Sequence, residues 1–169
     1  QVYAFIYQDN LGDPIMTPDS SEGLGLKHDV AMNTIIRPLV NVLLDLRDAD
    51  LAHGSINPFN MFNGGNKNFE RVILGECLAT PPSFTQPAIF ESIERALCDP
   101  IARAIPRMED DLYAFGVSLA VILRHKNPLE GLSDEEIIKQ KIELGSYAAI
   151  TGKDRFTGAI LELLRGLLY

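Results

Sequence analysis

The stretch DDLYAFGVSLAVILR, residues 110–124, decides the fold. No charged residue stands between Asp111 and Arg124, and Leu112, Phe115, Leu119, Val121 and Ile122 fall on nearly every side of a helix. A helix without a solvated face must be wrapped by other elements, so this one predicts the centre of a core. Asp110 or Asp111 is expected to cap its N-terminus, because a short acidic side chain accepts the free amides of a first turn. Lys126-Asn127-Pro128 is expected to stop it, since proline has no amide to donate.

Upstream, a second helix is expected from about Asp29 to Leu46. Met32, Ile35, Ile36, Leu39, Val40, Leu43 and Leu44 recur at three- and four-residue steps, with Val42 and Leu46 widening the stripe. Pro38 lies inside this pattern and should bend the helix or mark a boundary. LAHGSINPFNMF, residues 51–62, has no period and reads as irregular. Gly64-Gly65-Asn66 reads as a turn, 71–74 as a short strand, 79–87 as a Pro- and Ser-rich loop, and 90–97 as one short helix.

Downstream, Ser133 and Glu136 form a capping box that opens a helix to about Leu144, with Gly145 as its C-cap. A last helix is expected over 156–168, with Ile160, Leu161, Leu163, Leu164 and Leu167 facing inward. At the start, VYAFIY (2–7) reads as a strand and is followed by turn chemistry. With no repeat and no internal linker, the chain reads as one mainly α domain (α+β) with a few short strands.

Composition narrows the function. Fifteen Lys and Arg against 23 Asp and Glu give a net charge of −8. Such a surface repels phosphate backbones and anionic lipid, so neither nucleic acid nor a membrane surface is expected as a partner. The longest apolar run, at 117–123, is too short to insert in a bilayer. Cys77 and Cys98 lack any CxxC spacing and fit a reducing, cytoplasmic setting, although one bond between them stays open. His28, His53 and His125 are scattered, so no zinc site is expected.

Two segments carry a family resemblance. His53-Gly54-Ser55-Ile56-Asn57-Pro58-Phe59-Asn60 resembles the catalytic loop of protein kinases, H-R-D-x-K-P-x-N, keeping His53, Pro58, Asn60 and an apolar residue at Ile56. Asp110-Asp111-Leu112-Tyr113-Ala114-Phe115-Gly116-Val117 is similar to the family's D-x-Y-S-F-G-V helix start. RVILGECLA (71–79) falls where the family has its metal-binding D-F-G. The resemblance implies a kinase-like C-terminal lobe over 1–169. It would run from the last N-lobe strand and hinge at about 2–10 to the family's H helix at about 156–168. Either the rest of the N-lobe belongs to a larger parent chain, or the family's smaller lobe is lacking.

The resemblance also implies what is lost. Ser55 stands where the family has its proton-accepting Asp, Asn57 where it has the phosphate-steadying Lys, and Gly54 where it has an Arg. Phosphoryl transfer is mostly positioning and charge stabilisation, so these losses together imply a pseudokinase with no catalytic residue. It would work by binding, scaffolding or allosterically regulating another protein, with no cofactor. One alternative is an atypical enzyme that still holds ATP and Mg²⁺ through Asn60 and Glu76, with Gly75 the other alignment for the second ligand. A second alternative is an unrelated helical interaction domain.

Against these functional roles stand structural ones. His53 is expected to pack beneath the loop, Asn60 to brace its turn, and Asp111 to accept backbone amides from the His53 loop, the last by resemblance. Glu76 reads as a solvated charge and Cys77 as inert. On the helix after Ser133, Asp134, Glu135, Glu136 and Glu143 with Lys139 and Lys141 read as a solvated face or a docking surface. Leu129, Leu132, Ile137 and Ile138 are expected to form an exposed apolar patch if the neighbouring fold is incomplete, and the lobe alone to self-associate.

Overall fold

Residues 112–123 carry no charge, and the chain buries all of them but Leu112. In the computed structural model, which describes residues 10–18, 23–65, 72–76, 86–124 and 129–169, every residue from Tyr113 to Leu123 is buried. The expected strand at 2–7, the hinge at 8–9, Arg71, Cys77, most of the 79–87 loop, His125 and the stop at 126–128 lie outside the described residues.

In chain order the elements are α1 (His28–Ala31), a π-helical turn (Met32–Ile36), α2 (Arg37–Asp48), a 3-10 turn (Pro58–Asn60), β1 (Met61–Phe62) and β2 (Ile73–Leu74). A second 3-10 turn (Ala88–Phe90) follows. Then come α3 (Ile93–Leu97), α4 (Pro100–Arg103), α5 (Met108–Leu123), α6 (Asp134–Leu144), α7 (Ser146–Thr151) and α8 (Gly158–Leu168). The described chain is mainly helical with one small two-stranded antiparallel sheet.

α5 is the hub. Ile35, Leu39 and Leu43 from the π turn and α2 join Phe115, Leu119 and Ile122 of α5 and Ile160 and Leu164 of α8 in one apolar cluster. Gly116 sets the α5–α8 distance, because a Cβ there would stand 2.7 Å from the Leu167 Cβ. β1 and β2 pair Met61 with Leu74 and Phe62 with Ile73. Residues 11–15 strap across β1 through the Ile15 amide on the Met61 carbonyl at 2.8 Å.

Several expectations are corrected. Neither Asp110 nor Asp111 caps α5: the helix starts at Met108, Arg107 holds the cap position, and both acids lie within the first turn. Leu112 is not core; it is 38% exposed. Pro38 marks a boundary, as expected: a π turn over Met32–Ile36 ends just before it, and Pro38 falls in the first turn of α2.

The single helix expected over 90–97 is split, because Ser92 caps a new helix with its side chain on the Arg95 amide. β1, α4 and α7 were not expected at all. The capping box at Ser133 and Glu136 and the Gly145 cap form as expected. The expected patch is absent, since Leu129 and Ile137 are buried; Ile142 and Leu144 are the exposed apolar residues of that region. Uncovered apolar surface lies elsewhere. A groove of about 220 Å³ runs between α2, α5 and α8, lined by Val40, Leu44, Leu112, Leu163 and Leu167.

Candidate functional site

The 53–60 loop is held from below by one carboxylate. Asp111, on the first turn of α5, accepts the His53 amide at 2.5 Å and the Gly54 amide at 2.8 Å. Gly54 has φ of +77°, which only glycine adopts without strain, and the position taken by Arg in the kinase pattern is bare backbone here. Burial raises the Asp111 pKa to about 6, with the two amide bonds opposing and the Asp110 charge adding to the rise.

His53 is buried beneath the loop. Its Nδ1 accepts the Ser55 amide at 3.2 Å, which places the ring proton on Nε2, and that nitrogen is buried without a partner. Burial lowers its pKa to about 4, so the ring is neutral at physiological pH and shielded from solvent. It is part of the scaffold.

The positions that would carry chemistry are engaged in local bonding. Asn57, 5% exposed, accepts the amides of Phe59 and Asn60 at 3.0 Å each and donates to Gln86 at 3.0 Å. Gln86 in turn donates to the Ile56 carbonyl at 2.9 Å. The side chain at the phosphate-Lys position thus caps a 3-10 turn and faces inward. Ser55 is half-buried, and among the described residues its hydroxyl meets only the Asn60 amide group, at 3.4 Å.

Asn60 and Glu76 are brought together, through the backbone of Glu76. Asn60 Oδ1 accepts the Glu76 amide at 2.9 Å, while its Nδ2 donates to the Glu76 carbonyl at 3.0 Å and the Ser55 carbonyl at 2.9 Å. The amide of Asn60 is a strut between two backbones, and the Glu76 carboxylate stays at the exposed surface. Gly75 is compelled by the same contact: a Cβ there would stand 2.2 Å from Asn60 Oδ1. No side chain at 75 could share a metal with Asn60 in this arrangement. Among the described residues no group of three or more His, Cys, Asp or Glu could hold a metal ion.

Sequence reasoning missed the network that positions this loop from the other side. Lys141 is 1% exposed, and its ammonium donates to the carbonyls of Ala88, Ile89 and Glu91 at 2.9, 2.8 and 2.6 Å. It also lies 5.1 Å from the centre of the Tyr113 ring. Burial lowers its pKa to about 7, with the Glu91 charge opposing. The solvated-face reading of Lys141 is therefore corrected, whereas Lys139 does lie in solvent near Glu143.

Glu91 is buried and pairs with Arg103, and Arg95 is buried with bonds to the carbonyls of Ala102, Arg103 and Ile105. Together these fix the 88–91 turn, whose Phe90 meets Phe59 of the loop edge-on at 6.0 Å. One signal was available for Lys141. It stands four residues after the apolar Ile137, on the stripe that α6 turns inward. For Arg95 there was none.

The chain matches no family model, no curated protein and no solved structure. Among the described residues no helix is long and apolar enough to cross a membrane.

Proposed function

We propose that this chain is a degenerate protein-kinase-like C-terminal lobe, a pseudokinase, that acts by binding another protein and not by transferring phosphate. The observation that carries the reading is the state of the 53–60 loop. It is clamped to α5 by Asp111, yet among the described residues Ser55 has no base beside it, Asn57 is buried as a cap, and both ends of the Asn60 amide are bonded to backbone. A site for phosphoryl transfer needs a proton acceptor, a cation on the phosphate and free metal ligands, and none of these positions offers its group.

A role in binding is supported by the apolar groove between α2, α5 and α8 and by exposed Leu97, Ile101 and Ile105. The free thiol of Cys98 fits a cytoplasmic location.

The test is transfer of radiolabelled phosphate from ATP by the full-length protein, with Mg²⁺ present. Incorporation at the level of a blank is expected, and robust incorporation overturns the proposal. A thermal-shift titration with Mg²⁺ and millimolar ATP addresses nucleotide binding. No shift is expected while Asn60 remains bonded to Glu76.

A further inference from the structure

The 97–105 segment forms an apolar ridge. Arg95, buried beneath it, donates to the carbonyls of Ala102, Arg103 and Ile105, so the backbone is held from below. Leu97, Ile101 and Ile105 are left 63%, 79% and 60% exposed. A ridge already fixed in this way loses little further freedom when a partner covers it.

The groove between α2, α5 and α8 begins where the ridge ends. Ile105 stands three residues before Met108, which lines the groove, and three residues span at most about 10 Å. Leu112 follows one turn further along α5, on the same face as Met108. It is 38% exposed, and Leu44 of α2, which also lines the groove, is 40% exposed. Ridge and groove therefore make one continuous apolar surface.

The extent of that surface decides what it fits. Leu44, Leu97, Ile101, Ile105 and Leu112 together expose roughly 500 Å² of aliphatic area, near the top of the range for the largest patch on an ordinary monomer. Covered on two copies at once, it amounts to about 1,000 Å². Homodimer interfaces are about 65% apolar, so this area implies a total near 1,500 Å², the size of a standard specific interface. A single helix laid in the groove would leave the ridge bare. A second copy covers both, because a two-fold axis sets the ridge of each against the groove of the other.

The charges fit the same pairing. Asp99 is the acid on the ridge, exposed, and its carboxylate caps the Ile101 amide at 2.8 Å. Arg47 is the charged residue among the described lining of the groove. It is held by the neighbouring Asp48 alone, in a pair whose side chains are 62% and 70% exposed, and such a pair is worth little. The net charge of −8 repels two copies at a distance, but physiological salt screens it beyond about 8 Å and the contact itself is apolar.

We propose that this surface is a homodimer interface, in which the 97–105 ridge of each copy seats in the α2–α5–α8 groove of the other and Asp99 faces Arg47 across the contact. The proposal gives the protein-binding reading above one partner, a second copy of this chain, and it stands without the pseudokinase assignment.

The test is sedimentation equilibrium of the full-length protein from nanomolar to high micromolar concentration. A reversible monomer–dimer equilibrium is expected. Ile101→Arg, at a side chain too exposed to matter to the fold, should weaken dimerisation at least about tenfold. Ile142→Arg, on α6 and outside this surface, should leave it unchanged. Asp99→Lys and Arg47→Glu should each weaken it, and the double variant should recover most of the loss. Should loss of the Asp99 cap unfold α4, Ile101→Arg alone decides.

A monomer at every concentration overturns the proposal, and it is the result if a further segment of the full-length protein covers the groove. A dimer that tolerates Ile101→Arg, or that Ile142→Arg weakens as much, overturns it as well, as do assemblies that grow beyond two copies. Phosphate transfer is read separately. A dimer with robust transfer would sink only the pseudokinase reading, and a monomer without transfer would sink only this interface.

Discussion

Replacing Lys141 with Met tests whether one buried amine holds the 88–91 turn. The substitution keeps the length and the apolar stem and removes the three donors. The carbonyls of Ala88, Ile89 and Glu91, now 2.6–2.9 Å from the ammonium, would lose their partner together. An unsatisfied buried carbonyl costs roughly 1–3 kcal/mol, and relief from burying a cation returns several kcal/mol. The net expectation is a loss of about 2–4 kcal/mol, or roughly 5–15 °C in Tm for a chain of this size.

Calorimetry and urea unfolding measure the loss, and amide exchange across 88–93 locates it. The gap should also widen above pH 7. The unfolded lysine keeps its proton to about 10.5 while the folded one releases it near 7, so the unfolded state binds more protons and wild-type stability rises over that interval. A Met variant as stable as the wild type, with unchanged exchange at 88–93, would refute the reasoning.

His53 and Asp111 should oppose each other in acid. Lowering the pH from 6.5 to 4 protonates unfolded but not folded His53, costing about 3 kcal/mol; Asp111, with its raised pKa, gains about as much over 6 to 4. Wild-type stability should therefore be nearly level from pH 4 to 6.5, whereas Asp111→Asn should become steadily less stable toward pH 4 by denaturant titration. An equally level Asp111→Asn profile would contradict the shifts. Gly116→Ala places a methyl 2.7 Å from the Leu167 Cβ and should cost about 1–3 kcal/mol in urea unfolding, with a neutral result showing that α8 shifts freely. Gly75→Ala should break the Asn60–Glu76 strut and raise amide exchange at Glu76 at least tenfold, while exchange at His53, held by Asp111, stays as it was.

What could be read from the residues was what local chemistry determines. α5 was legible because twelve consecutive uncharged residues admit no solvated face. Ser133, Glu136 and Gly145 were legible because caps are short-range devices. The π turn was not, since apolar residues at 35, 36, 39, 40 and 43 suit a regular helix as well as one with a widened turn. The N-terminus of α5 was misplaced for a related reason. Asp111 has the chemistry of a cap, but the amides it serves belong to residues 53 and 54. Asn60 shows the same limit. That it would brace its own loop was legible, but its bonds to Glu76 arise only when β2 pairs with β1. Lys141 was hidden by composition, because a lysine among glutamates on a capped helix is ordinarily solvated.

The bonds that shape the loop join residues far apart along the chain. Asp111 reaches back 58 positions to His53, and Lys141 reaches back 53 to Ala88. During synthesis the N-terminal third therefore emerges before the anchor it needs has been made. The loop stays unformed until α5 appears, and the 88–91 turn until α6 does, so this architecture closes late and nearly at once. A chaperone that shields residues 28–60 in the interval would act on the nascent protein at the stage when it is most prone to stick.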